Sequence, residues 1–245
     1  MAANEYFEQA LNIIRTLAQT QTTVIKSAAE MIAGGIIAGK SIFSFGASHS
    51  FMITEELVYR SGGLMLVNPI YPHGMNFSVH PLPATSRMER VPGLGRELLE
   101  ASPARKDDIL LITSTSGRNH VVIDMALCAR EKNIKTVAIT SLAYSRGVNS
   151  RHPSGKKLCD LCDFVIDNCA PYGDAAVQIP GFPQKVGPLS TIAGCAIANA
   201  LVAEIVSILV EKGQTPPVFA SANLDGGDAH NAKCLAENRY RIFYT

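Results

Sequence analysis

The chain has no tryptophan, and aromatic side chains make up only 7% of it. It also carries no excess of either charge: 22 basic and 21 acidic residues leave a formal net charge of +1. A balance this even gives no electrostatic case for nucleic acid or an anionic membrane. The phosphate-binding pattern GxxxxGK[ST] is absent, as are GxGxxG and a carboxylate ending the second strand, so nucleoside triphosphate and dinucleotide sites are disfavoured. The N-terminal MAANEYFEQALNIIRTLAQ is interrupted by Glu5 and Glu8 and has no apolar core of a secretory signal, which makes the cytoplasm the expected location.

Long apolar runs are scarce. One stretch, Ile192–Val210, approaches the length of a bilayer span. Asn199 and Glu204 interrupt it, and Glu204, Ser207 and Glu211 fall on one stripe, so a buried or interface helix over 187–212 is expected rather than a membrane segment. Six cysteines are present, and in this setting reduced thiols are expected. Cys159-x-x-Cys162 has no second CxxC partner, and the segment KKLCDLCDFVIDN reads as a helix end running into a strand. His73, His80, Asp228 and His230 match no compact ligand spacing, so neither a metal nor a cofactor is expected.

With 47% hydrophobic residues in 245, a sizeable core is available. Residues 4–33 show helical spacing without proline, as one long helix or two short ones. Thereafter short aliphatic runs alternate with helix-length segments. SIFSF (41–45), LMLVN (64–68), DILLIT (108–113), TVAIT (136–140) and DFVID (163–167) read as strands. Segments 49–62, the stretch ending near Ala101, and 121–133 read as helices, and 68–86 reads as a loop. This is the pattern of an α/β protein: a parallel sheet with helices on both faces, in three layers. Ligands of such sheets bind beyond the carboxyl ends of the strands.

Two of those ends stand out. After SIFSF comes Gly46-Ala47-Ser48-His49-Ser50, where glycine permits a tight turn and Ser48 or Ser50 could cap the next helix. After DILLIT comes Ser114-Thr115-Ser116-Gly117, then Arg118, Asn119 and His120. One hydroxyl suffices for a helix cap, but four consecutive small polar residues at a helix start offer a dense set of donors. A phosphate monoester matches that set.

STSG, with a glycine–serine loop after the first strand, resembles the signature of the sugar isomerase (SIS) phosphosugar-binding domain. HSFMITEELVYRSGGL and SANLDGGDAHN are similar to a subgroup of stand-alone SIS proteins. The resemblance implies a five-stranded, flavodoxin-like parallel sheet over about 38–212. A helical segment over 1–37 would precede it and a tail over 213–245 would pack on the domain or a neighbouring subunit. It implies that Ser114, Thr115 and Ser116 hold phosphate with the Gly117 backbone. Gly46, Ser48, His49 and Asn119 would complete the phosphosugar contacts. It also implies a homodimer or homotetramer with shared active sites.

Aldose–ketose isomerisation needs an acid–base group between C1 and C2, commonly a glutamate and a histidine. The family's functional glutamate falls near Glu55 and Glu56, with Glu56 preferred, although Glu56 and Arg60 also read as an ordinary i, i+4 pair. The late helix, which holds a histidine in heptose isomerases, has none here. Candidates are therefore His49 in the first loop, His73 and His80 in the proline-containing loop, and His230 in GGDAHN, while His120 reads as a surface helix residue. The expected function is a phosphosugar isomerase. The alternatives are a non-catalytic phosphosugar sensor, or an etherase or lyase acting on an amino-sugar phosphate.

Overall fold

The computed structural model describes residues 1–245. Two helices, α1 (Ala2–Thr20) and α2 (Thr22–Ile37), lead into strand β1 (Ile42–Gly46), helix α3 (Phe51–Leu57) and strand β2 (Val67–Pro69). Short helices α4 (Pro83–Met88) and α5 (Leu94–Glu100) precede β3 (Ile109–Thr113), α6 (His120–Glu131), β4 (Lys135–Thr140), α7 (Leu142–Arg146) and β5 (Phe164–Asp167). A hairpin of β6 (Ala175–Gln178) and β7 (Lys185–Pro188) follows, then the long α8 (Ser190–Glu211) and α9 (Gly227–Asn238).

The main sheet has five parallel strands in the order β2-β1-β3-β4-β5. Alternation along each strand builds a core on each face, because successive side chains point to opposite sides. Ile109 and Leu111 of β3 join Ile42, Val137, Ile139 and Ile166 against α1, α2 and α8. Leu110 and Ile112 join Phe43, Phe45 and Ala138 against α6. The three-layer α/β architecture expected from the alternation is the one observed.

α8 is long and apolar enough to cross a membrane by composition, but it packs into the first core through Ala193, Ile197, Leu201, Ile205 and Leu209. Its place in that core accounts for its hydrophobicity.

Two local expectations are corrected, and a hairpin and a late helix were not foreseen. α3 stops at Leu57, because Val58 is extended and Tyr59 takes φ 49°, so the helix does not reach residue 62. In LMLVN only Val67 and Asn68 belong to the strand; Leu64 instead bridges to Val218 and Met65 N–H bonds to Pro217. The β6–β7 hairpin was not legible as strands. The DAHN segment of the tail is part of helix α9, which the sequence pattern did not show.

The tail is fastened to the sheet edge by Asn68, which is buried. Its Nδ2 donates to the carbonyls of Ile42 at 3.1 Å and Arg241 at 3.0 Å, and its Oδ1 accepts from Phe243 N–H at 2.7 Å. Tyr244 Oη adds a 2.7 Å bond to the Met65 carbonyl.

Candidate functional site

The sheet order reverses between β1 and β3, since β1 runs on to β2 on one side while the chain continues through β3 and β4 on the other. Crevices at such switch points are where open α/β sheets bind ligands. Gly46 pairs with Thr113, so the two loops singled out by sequence leave the sheet side by side.

The first loop turns at once. A Cβ on Gly46 would overlap the Ser50 carbonyl group and lie 2.8 Å from Phe51 N, so only glycine fits. Ser48 then adopts φ 52°, its N–H donating to the Met75 carbonyl at 2.6 Å. Its hydroxyl donates to Glu89 Oε1 at 2.6 Å. The ring of His49 packs edge-on against Phe77 with centroids 4.5 Å apart.

In the second loop the carbonyls turn back into the fold. The Thr115 carbonyl accepts from Ser141 N–H at 3.0 Å and Thr140 Oγ1 at 3.3 Å, and the Gly117 carbonyl accepts from Leu158 N–H at 2.9 Å. Gly117 itself sits at φ 61°, and a Cβ there would meet Leu158 Cβ at 3.1 Å. Ser114 Oγ accepts the Gly117 N–H at 3.2 Å. The N–H groups of Thr115, Ser116, Arg118, Asn119 and His120 have no partner in the chain, nor do the hydroxyls of Thr115 and Ser116. No side chain caps α6. What remains is a half-exposed row of donors at the positive end of a twelve-residue helix, an arrangement suited to an anion.

Asn119 does not use its side chain on the helix. Its Nδ2 donates to Glu89 Oε2 at 2.7 Å, and its Oδ1 accepts from Arg151 Nη1 at 2.7 Å. Glu89, at the end of α4, therefore bridges the two loops through Ser48 and Asn119. The Glu89 carbonyl also accepts the Val121 N–H at 3.1 Å, tying the same residue to the start of α6.

Glu89 was not singled out from the sequence, because it follows the 68–86 loop and belongs to no motif. The same holds for three arginines. Burial holds the Arg151 guanidinium below its ordinary pKa, and repulsion from Arg118 and Arg90 adds to this while Glu89 opposes it. None of the three makes a salt bridge, and Arg118 Nε is buried without a partner. Cationic charge therefore concentrates beside the donor row. The one signal available in advance was Arg118, which follows STSG directly.

The expected acid–base residues are not brought together. Glu55 is exposed on α3. Glu56 is ion-paired with Arg60 and accepts from Asn199 Nδ2 at 2.7 Å, so its carboxylate faces α8. His230 on α9 lies with Nε2 3.0 Å from the Val218 carbonyl and 3.7 Å from Cys234 Sγ. Near it, a cavity of about 440 Å³ is lined by Tyr59, Phe219, Asp228 and Asn231, none of them from the two loops.

The chain has relatives both in sequence and in fold. Residues 5–141 match the family model described as the SIS domain. A UPF0309 protein of Shouchella clausii is 42% identical over 240 residues, covering 98% of each chain. Among solved structures, a phosphoheptose isomerase from Francisella tularensis superposes with TM-score 0.55 at 16% identity, covering 83% of this chain and 95% of that one. The Vibrio vulnificus NanR protein complexed with ManNAc-6P gives TM-score 0.50 at 14% identity, covering all of this chain and 71% of that one. At these identities the structural likeness concerns the fold. By the family match and by identity along nearly its whole length, this chain belongs to the SIS domain family and, within it, to the UPF0309 proteins.

Proposed function

We propose that the chain binds a phosphorylated sugar between the loops after β1 and β3 and interconverts its aldose and ketose forms. The observation that carries the binding is the row of unpartnered donors at Thr115, Ser116 and the backbone of 118–120, beside three guanidinium groups that make no salt bridge. Three phosphate oxygens accept from such a row, and the arginines supply the charge that hydroxyls lack. Ser48, His49 and Gly46 face the sugar from the other loop.

Glu89 is the carboxylate that hydrogen-bonds to both loops, and we assign it the base. In the open-chain aldose its carboxylate takes the proton from C2. The C2–H electrons form the C1=C2 bond of an enediol as the C1=O π electrons pass to O1, which takes a proton from water. O2 then gives its proton to water as C2 becomes the carbonyl, and the C1=C2 electrons take the proton back from Glu89 at C1. Nearby guanidinium charge stabilises the enediolate. Glu56 remains the alternative base, and Glu55 and His230 would act only by reaching a site from a neighbouring copy. Exposed Phe7, Leu11, Ile192 and Val210 support a homo-oligomer.

A second reading, a sensor that binds phosphosugar without turnover, is favoured by the engagement of Glu56 with Arg60 and of His230 with Val218. A thermal-shift screen of hexose, heptose and amino-sugar phosphates tests the binding, since stabilisation rises with ligand over Kd. Exchange of the C2 proton with solvent in the best ligand then supports the isomerase. Binding without exchange favours the sensor, and equal stabilisation by the unphosphorylated sugar removes the phosphate cradle from both.

A further inference from the structure

Beside the donor row, three metal-ligating side chains meet that neither the loop motif nor the acid–base assignment uses. His120 opens α6, Asp124 follows one turn later on the same face, and His152 comes from the segment between α7 and β5. One ligand atom from each lies within 4.8 Å of the others. His152 Nε2 is 3.1 Å from Asp124 Oδ1, and the rings of His120 and His152 have centroids 5.2 Å apart. The side chains of His152 and Asp124 are only 13% and 12% exposed. His120 Nδ1 is buried and has no partner at all.

The outer contacts hold these groups in place. Asp124 Oδ2 accepts the Gly93 N–H at 2.8 Å, which leaves Oδ1 to face His152. His152 Nδ1 lies 2.8 Å from Ser154 Oγ and accepts the Ser154 N–H at 3.1 Å, which places the ring proton on Nε2, toward Asp124. These partners on the far nitrogen fix the orientation of the ring.

We propose that His120, Asp124 and His152 form a binding site for a divalent transition-metal ion, zinc being the best match. Two imidazoles and one carboxylate suit zinc and leave a fourth position open, whereas magnesium and calcium favour oxygen ligands throughout. On binding, the ion takes the Nε2 lone pair of His152, the ring proton moves to Nδ1 and donates to Ser154 Oγ, and the Ser154 N–H contact is given up. The ion joins the start of α6 to the segment carrying Arg151, and so holds that guanidinium against Asn119 at the edge of the cradle. The sequence alone points away from a metal because His152 lies 28 residues from Asp124.

The test uses the full chain, stripped with a chelator and dialysed, and metal alone with no sugar, so its outcome is independent of the phosphosugar reading. Calorimetry is expected to show one equivalent of Zn²⁺ bound, with Mg²⁺ unable to compete. Co²⁺ is expected to give visible d–d bands without the near-ultraviolet thiolate charge-transfer band that cysteine ligation produces. Asp124→Asn preserves the shape of the side chain and can still accept from Gly93. It should weaken Zn²⁺ by more than the roughly 10–100-fold that loss of an outer partner costs, and His152→Ala should do the same. No stoichiometric binding, unchanged affinity in both variants, or a thiolate band would each overturn the site.

Discussion

Ser48 Oγ donates to Glu89 Oε1 across 2.6 Å, and this short bond joins the loop after β1 to the end of α4. With Asn119 Nδ2 on the other oxygen, the carboxylate is held from both sides of the crevice as an acceptor. A carboxylate oriented in this way suits proton abstraction next to a bound anion.

Glu89→Gln should therefore keep the shape of the bridge while removing the base. Turnover of the best phosphosugar is expected to fall by about 10²–10⁴-fold with little change in its binding. Glu56→Gln, assayed beside it, should change turnover little. The reverse order, measured as C2 proton exchange, would return the base to Glu56.

Ser116→Ala removes one of the free hydroxyls of the donor row. Hydrogen bonds to charged groups contribute about 1.5–3 kcal/mol, so the phosphosugar should bind correspondingly more weakly while the unphosphorylated sugar is unaffected. Calorimetric titration of both sugars reads the difference.

Gly117→Ala places a Cβ at φ 61°, 3.1 Å from Leu158 Cβ and 3.3 Å from Thr140 Oγ1. The left-handed backbone alone costs about 1–2 kcal/mol. At about 2–4 °C per kcal/mol for a chain of this size, a lowered Tm should be plain in a thermal melt. Phosphosugar affinity should fall as well, because the N–H row turns on this residue.

Stability should decline at alkaline pH. Burial pushes Cys162 up to about 12 from the ordinary 9.0, and it raises Cys128, Cys169 and Cys195 too. Above pH 9.0 the unfolded thiols have lost protons that the folded ones keep, so deprotonation favours unfolding. The contribution is complete below that value and is lost as pH rises toward the folded pKa. Denaturant midpoints measured from about pH 8 to about pH 10 should fall, and Cys162→Ala should make the fall shallower.

The sheet was legible because parallel strands buried on both faces are written as continuous aliphatic runs, as in ILLIT and TVAIT. LMLVN failed partly because Leu64 and Met65 pair with residues 217–218, a partner far away in the chain. The hairpin failed because AAVQ and KVGP carry too few large apolar residues to mark a strand. The donor row was readable from STSG since adjacent residues build it. Glu89, Arg90 and Arg151 were not, because tertiary folding alone carries those segments to the crevice. The same reason hides His152 from His120 and Asp124.

The fastening of the tail by Asn68 bears on the order in which the chain is made. Domains emerging from the ribosome begin folding from their N-terminal portions. Here the edge strand next to β1 gains Arg241 and Phe243 as partners, and the first core gains Ile242, only when a segment 173 residues beyond Asn68 has been made. Until then the Asn68 amide, buried in the finished fold, lacks two of its bonds. The segment that closes the sheet edge is thus made long after the strand it covers, and the crevice beside β1 reaches its final form only once that segment has docked.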